Sequence, residues 1–354
     1  MTVNERIKVL DDLKLIHTRD GEDSLGIAQK QWQQYKYDFK FNWKPNREIN
    51  KVVVSGMGGS GLAAKVYKNW PSINLPFEVV QDYKLPSYVD SNTLLIVSSY
   101  SGNTEEEISV INSVLENNVE SSTPQLIVVT SGGQLQEIAE RHNLPLVLLP
   151  VGFQPRYTLG YQLRALCEIF ESVNLASGVV KELENAADWL SGVMATWLPT
   201  VPSKDNQAKQ LALDILGKSM VIYSSSLFSP VAYKWKISFN ENAKSIAWWN
   251  QYSEFNHNEF LGWTNLPVDK PYAVVDLRSN LDNPHIQKRF IVSDQLLSGK
   301  RPSPEVVNLV GESLLQQMMW GIALGDFVSL YVAILSGIDP TPVDLIEQLK
   351  LKLK

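Results

Sequence analysis

The sequence predicts an α/β fold made of two mainly parallel sheets, each flanked by helices, with a helical bridge between them. Three observations carry this. Short β-branched runs alternate with helical stretches between residues 51 and 150. A second alternation runs from residue 219 to residue 310. Between the two, residues 158–217 have a predominantly helical pattern, broken by Gly178, Pro199 and Pro202. Strands of this length, each followed by a helix, favour a parallel sheet covered on its faces by helices. The 354 residues fit this, because domains of roughly 100–200 residues imply about two.

The elements follow in order. Residues 1–50 read as helices and connecting segments rich in charges and aromatics. Lys51–Ser55 is a β-branched run that ends in glycines, and Leu62–Trp70 is helical in pattern. Phe77–Gln81 and Thr93–Ser98 are further strands. Asn103–Asn118 is a helix whose first turn holds Glu105, Glu106 and Glu107, where the helix dipole favours acids. Gln125–Thr130 and Leu144–Pro150 complete the first set. In the second set, Ser219–Ser224, Lys244–Trp249, Tyr272–Leu277 and Glu305–Val310 are strand candidates. Pro230–Phe239, Pro284–Leu297 and Glu312–Leu335 are helix candidates, and Val343–Leu353 is an amphipathic C-terminal helix. The expected domains are therefore 1–157, the bridge 158–217, and 218–354. Val52–Gly56 and Met220–Ser224 form a weak internal repeat, but the second copy lacks the glycines.

Composition narrows the function. Hydrophobic residues make up 44% and charged residues 20%, enough apolar material to offset the entropy of ordering. The net charge of −6 disfavours a nucleic-acid binder that relies on a broad cationic face. The single cysteine, Cys167, excludes an intrachain disulfide and a cysteine-based zinc cluster; its apolar surroundings suggest a buried structural thiol. The N-terminus lacks the apolar core of a signal peptide. Gly321–Ile338 nears the length of a membrane span but contains Asp326, and a buried core helix is the better reading. The expected location is cytoplasmic.

Two loops carry chemistry. Ser55-Gly56-Met57-Gly58-Gly59-Ser60-Gly61 lies between a strand and a helix. Its glycines let the backbone approach a ligand, and the following helix start offers N–H groups to an anion. Gly56, Gly58 and Gly61 also spell G-x-G-x-x-G, so a dinucleotide reading stays open, with Glu78 or Asp82 as the ribose acid. An unliganded tight turn is the other alternative. The second loop, Ser98-Ser99-Tyr100-Ser101-Gly102-Asn103-Thr104, packs five hydroxyls, a glycine and an amide into seven residues before a helix. It suits a phosphate monoester, although the same residues also cap helices without any ligand.

Three further segments add candidate groups. Arg156, in Gly152-Phe153-Gln154-Pro155-Arg156, could stabilise an enediolate or serve only structure. Glu241 lies between Asn240 and Asn242. His257 sits among Asn256, Asn258 and Glu259. A carboxylate and an imidazole suit the proton transfers of aldose–ketose isomerisation. A zinc site on His257 and Glu259 is an alternative, without a second histidine nearby.

Taken together, GMGGSG and SSYSGNTEE, each between a strand and a helix, resemble the sugar isomerase (SIS) domain, which binds phosphosugars. That resemblance implies that Ser99, Ser101 and Thr104 hold the phosphate and that Gly58, Gly59 and Ser60 line the sugar. Over nearly the whole chain the sequence resembles one subfamily, the bifunctional phosphoglucose/phosphomannose isomerases with two SIS domains. The matching segments include GMGGSG, SYSGNTEE, QPR, Asn240–Lys244, Glu254–Glu259 and the Gly337–Lys350 end.

By resemblance, Glu241 is the base that moves the proton between C2 and C1, and Arg156 stabilises the enediolate. His257 opens the ring and comes from the other subunit of a homodimer. Lys350 assists ring opening, with Lys352 and Lys354 as neighbouring alternatives. The implied reaction interconverts glucose 6-phosphate, and mannose 6-phosphate, with fructose 6-phosphate. It needs no metal and no cofactor, and no nucleic-acid or membrane partner. The family's arginine segment often continues with small residues; here Tyr157 follows, which would reshape the pocket and alter substrate breadth. Two rivals remain. A non-catalytic phosphosugar sensor is disfavoured by the acidic charge, the missing helix-turn-helix and the complete Glu, His, Arg and Lys set. An amidotransferase-type synthase would need an N-terminal cysteine, and Cys167 is misplaced for it.

Overall fold

The structure, a computed structural model, describes residues 2–71, 73–116, 122–265 and 271–353. The chain divides into two compact units, Lys30–Trp189 and Met1–Gln29 with Leu190–Lys354. This division differs from the domains expected from sequence: of the bridge helices, α7 (below) falls in the first unit and α9 in the second.

Three helices open the chain: α1 (Val3–Asp11), α2 (Leu13–Arg19) and α3 (Ser24–Gln34). Thr2 and Glu5 cap α1 reciprocally, and the Asp12 side chain caps α2. Next come β1 (Lys51–Ser55), α4 (Gly58–Asn69), β2 (Phe77–Val80), β3 (Thr93–Ser99), α5 (Glu105–Glu116), β4 (Gln125–Thr130), α6 (Gly133–Arg141), β5 (Leu146–Leu148), α7 (Leu159–Ser172) and α8 (Val179–Met194). The strands form a five-stranded sheet of order β2-β1-β3-β4-β5, with every neighbouring pair parallel. Val52, Val53, Val54, Leu94, Leu95, Ile96 and Val97 are all buried. Burial on both faces explains why β1 and β3 read as continuous apolar runs instead of alternating ones. The helix α6 was not expected from the sequence; its buried stripe is only Leu135, Ile138 and Ala139. The expected helix Asn103–Asn118 is realised as α5, and residues 117–118 lie outside the described residues.

The remaining elements are α9 (Gln207–Ile215), β6 (Ser219–Ser225), α10 (Ser229–Glu241), β7 (Ala247–Tyr252), α11 (Glu259–Gly262), β8 (Tyr272–Arg278), α12 (Pro284–Leu297), β9 (Glu305–Asn308), α13 (Leu314–Ser336) and α14 (Asp344–Leu353). Their four-stranded sheet runs β7-β6-β8-β9, again all parallel. The weak repeat in the sequence thus falls on β1 and β6, which occupy the same place in their sheet orders. The strand expected over Lys244–Trp249 begins later, at Ala247. Lys244 takes a positive φ of 49° beyond the end of α10, so the chain turns there before it extends.

The long apolar stretch is α13, started by a Ser313–Gln316 capping box and ended by Gly337 in the left-handed region. Among the described residues it is the one helix long and apolar enough to cross a membrane, and that window is 100% buried inside the protein. Asp326 is the reason for the acid within this apolar helix. It accepts from Lys234 Nζ at 2.5 Å and from Ser238 Oγ at 2.7 Å, both on α10. Ser238 in turn accepts from Lys234 at 2.9 Å, so the buried charges are paired and hydrogen-bonded.

Candidate active site

In the five-stranded sheet, β2 lies on one side of β1 and β3 on the other. Chain direction across the sheet therefore reverses between β1 and β3. In open parallel sheets, a crevice forms beyond the carboxyl ends of such a pair, and ligands bind there. The glycine loop leaves β1 and the serine loop leaves β3, which are paired from Lys51 and Thr93 to Ser55 and Val97. Gly58, Gly59, Ser60, Ser99, Ser101 and Thr104 are thereby brought to one crevice.

The serine loop is pre-ordered. Ser99 is buried, and its Oγ lies 2.6 Å from Thr104 Oγ1 and accepts from the Gly102 N–H at 3.2 Å. Ser101 Oγ accepts from the Asn103 N–H at 3.3 Å. Gly102 has φ +66° and faces the Gly132 carbonyl so closely that a Cβ would come within 1.7 Å of its oxygen, so only glycine fits. Three acids occupy the first turn of α5.

Arg156 joins this crevice through the glycine loop. A 3-10 turn, Pro155–Tyr157, packs against the start of α4. A Cβ on Gly59 would lie 3.1 Å from the Pro155 carbonyl oxygen and 3.9 Å from Arg156 Cα. Arg156 is only 3% exposed, and its guanidinium lies 4.6 Å from the centroid of the Tyr157 ring. Tyr157, the departure noted in the sequence, is itself buried. Its carbonyl accepts from Gln34 Nε2 at 2.7 Å, and Thr158 Oγ1 donates to the Pro155 carbonyl at 2.8 Å. The bulky ring therefore packs on the guanidinium of Arg156.

Sequence reasoning passed over Glu107. It is the third acid of α5, yet it is 1% exposed while Glu105 is exposed. Burial pushes its carboxyl up to about 7; Glu106 adds to the rise, and its own and the Met57 backbone N–H groups oppose it. Those amide contacts fall short of hydrogen-bond geometry, since neither carboxyl oxygen has a partner within bonding criteria. Helical phase was the available signal: Glu107 lies three, four and seven residues before the buried Val110, Ile111 and Val114.

The other candidates belong to the second unit. Glu241 is half-buried at the last position of α10. Its carbonyl accepts from Lys244 Nζ at 2.6 Å, and the same ammonium donates to Pro340 at 2.9 Å. His257 is exposed at the end of a 3-10 turn, Glu254–His257, that follows β7. That turn is anchored by Asn256, which donates to Ser293 Oγ at 3.0 Å and accepts from Arg289 at 3.1 Å. Glu259, the alternative zinc ligand, already accepts from Tyr223 OH and from Asn250 at 2.6 Å. Lys350 is exposed on α14, 2.8 Å from Glu347.

Topology sets the spacing of these groups. The helix α10 runs antiparallel to the strands, so Glu241 ends beside the start of β7, and His257 follows its far end. At about 3.3 Å per residue, the six residues of β7 span about 20 Å. Within this unit the length of β7 thus lies between Glu241 and His257. Cys167 is fully buried in α7, and its thiol is pushed well up by desolvation, as expected of a structural cysteine.

Comparison with known proteins adds to this geometry. Residues 204–353 match the family described as bacterial phospho-glucose isomerase C-terminal SIS domain. A bifunctional phosphoglucose/phosphomannose isomerase of Caldicellulosiruptor bescii is 37% identical over 311 residues, covering 86% of this chain and 90% of the relative. One from Aquifex aeolicus is 33% identical over 306 residues, with coverages of 86% and 90%. Among solved structures, a glucose-6-phosphate isomerase like protein from Thermus thermophilus superposes with a TM-score of 0.62 over 97% of this chain and 98% of that one. At 18% identity, that likeness shows the fold.

Proposed function

The chain belongs to the bifunctional phosphoglucose/phosphomannose isomerase family, and we propose that it interconverts glucose 6-phosphate and mannose 6-phosphate with fructose 6-phosphate. One observation carries the reading: the glycine and serine loops meet at the β1–β3 crevice, with Arg156 buried against the glycine loop.

The phosphate docks on Ser99, Ser101 and Thr104 at the start of α5, where hydroxyls and free N–H groups converge. Gly58, Gly59 and Ser60 line the sugar. His257 and Lys350 move the protons of ring opening. Glu241 takes the C2 proton, Arg156 stabilises the oxygen charge of the cis-enediolate, and Glu241 returns the proton to C1. The enediolate is planar at C2, so both C2 epimers converge on it. The route uses no metal and no cofactor.

The separation of Glu241 from His257 along β7 supports a homodimer in which the histidine comes from a second copy. The proposed ligand is a small phosphosugar, with no nucleic acid and no membrane, and the proposed location is cytoplasmic. A silent phosphosugar sensor is the less favoured reading, since it leaves Glu241 and His257 without a task.

The test is a coupled assay for fructose 6-phosphate from glucose 6-phosphate and, separately, from mannose 6-phosphate, each with and without EDTA. Turnover of both, unaffected by EDTA, is expected. Turnover of glucose 6-phosphate alone would remove the second activity and direct attention to Arg156 and Tyr157. Phosphosugar binding without turnover would make the protein a sensor.

A further inference from the structure

Among the described residues of its unit, Glu107 is the one buried acid, and neither of its oxygens completes a hydrogen bond. It stands at the third position of α5, in the same helical turn whose start receives the phosphate in the proposed function. On its own helix the charged neighbour that acts on it is Glu106. From the N-cap of α4 the Met57 amide lies toward it. Lys65 of α4 donates to Gln81 Oε1 at 2.5 Å. The adjoining strands β1 and β3 end in the hydroxyl residues Ser55, Ser98 and Ser99 and carry no charge there. Among the described residues no cation offsets the carboxylate, which a docked phosphate dianion would face across about one helical turn of roughly 5 Å.

We infer that Glu107 couples phosphosugar binding to proton uptake: the ligand binds with Glu107 neutral, and binding above neutral pH transfers a proton from solvent to its carboxyl oxygen. This rests on the phosphosugar reading given above. Burial, with a smaller contribution from Glu106, holds the free carboxyl at about 7, so it is largely ionised in the ligand-free protein in mildly alkaline solution. A nearby dianion raises that value further. Glu107 is thus a positioning residue: neutral, it leaves the N–H groups of α5 to the phosphate; ionised, it competes for them.

The test is titration calorimetry of the full-length protein with glucitol 6-phosphate, which lacks a carbonyl and cannot isomerise. Buffers of different ionisation enthalpy report the protons exchanged. Above pH 7 the ligand's phosphate stays doubly ionised, since its second pKa is about 6. A rise of about one unit in the Glu107 pKa on binding gives uptake of about half a proton near pH 7.5. It also weakens binding about fivefold from pH 7 to pH 9. Glu107→Gln should bind with no uptake and no such pH dependence. Binding by the native protein without uptake overturns the inference, as does uptake retained in Glu107→Gln. If that variant does not fold, His257→Asn decides: uptake must persist there, and its loss would assign the proton to the histidine. Failure of glucitol 6-phosphate to bind at any pH would instead sink the phosphosugar reading.

Discussion

Gly59→Ala is the most informative single substitution in the five-stranded unit. Gly59 is the second residue of α4, and the added Cβ would lie 3.1 Å from the Pro155 carbonyl oxygen and 3.9 Å from Arg156 Cα. Ordinary contacts begin near 3.4 Å, so the Pro155–Tyr157 turn must retreat by about three tenths of an ångström. Gly59 has no positive φ, and alanine favours a helix over glycine by up to about 1 kcal/mol, so strain and propensity offset each other and stability changes little. The guanidinium moves with its turn. Electrostatic stabilisation depends on donors held at bonding distance from the developing charge, and a misplacement of 1 Å can cost about a hundredfold in rate. A shift a third of that size is expected to lower kcat/KM for glucose 6-phosphate by about fivefold. The assay pairs steady-state kinetics with a thermal melt, and Gly192→Ala on α8, where a Cβ meets nothing within 4 Å, is the control. Unchanged kcat/KM in Gly59→Ala would refute the reasoning, since Arg156 would then owe nothing to the glycine loop. A melt lowered in proportion to the activity would refute it too.

Two predictions concern the other unit. Glu241→Gln and His257→Ala should each abolish turnover while retaining phosphosugar binding. A dissociated and reassociated mixture of the two should regain about a quarter of native activity if the histidine is donated across a dimer, because half of the dimers then carry one intact site. No recovery from mixed dimers verified by mass would place both groups in one chain. Lys234→Met leaves Asp326 buried without its ammonium, and should destabilise the four-stranded unit by about 3–5 kcal/mol in denaturant unfolding. Lys234→Met with Asp326→Leu should recover most of that loss. A double variant as unstable as the single one would show that packing, and not the uncompensated charge, is responsible.

The sequence by itself determined the secondary-structure alternation, both parallel sheets and the two loops that meet at the crevice. It could do so because the signals are local. A Val-Val-Val run, glycines after a strand and hydroxyls before a helix act through neighbouring residues. Short elements with little apolar material escaped it. The buried stripe of α6 is only three residues, and the start of β7 depended on the left-handed turn at Lys244. Asp326 marks α13 as a core helix in the sequence, but its pairing with Lys234 is not legible there, since it joins residues far apart in sequence on α10 and α13.

Tertiary structure also decided what the candidate groups can do. Three adjacent glutamates are chemically alike on paper. Only the packing of α5 turns Glu107 inward and raises its carboxyl to about 7. Tyr157 is an aromatic of unknown direction in sequence, and only the fold lays Arg156 over its ring. Glu241 and His257 are near neighbours in sequence, yet one strand puts them at opposite ends of a sheet. Local pattern records which way the chain runs and which residue types it offers. Burial, charge compensation and separation depend on what non-local elements bring alongside, and folding alone fixes that.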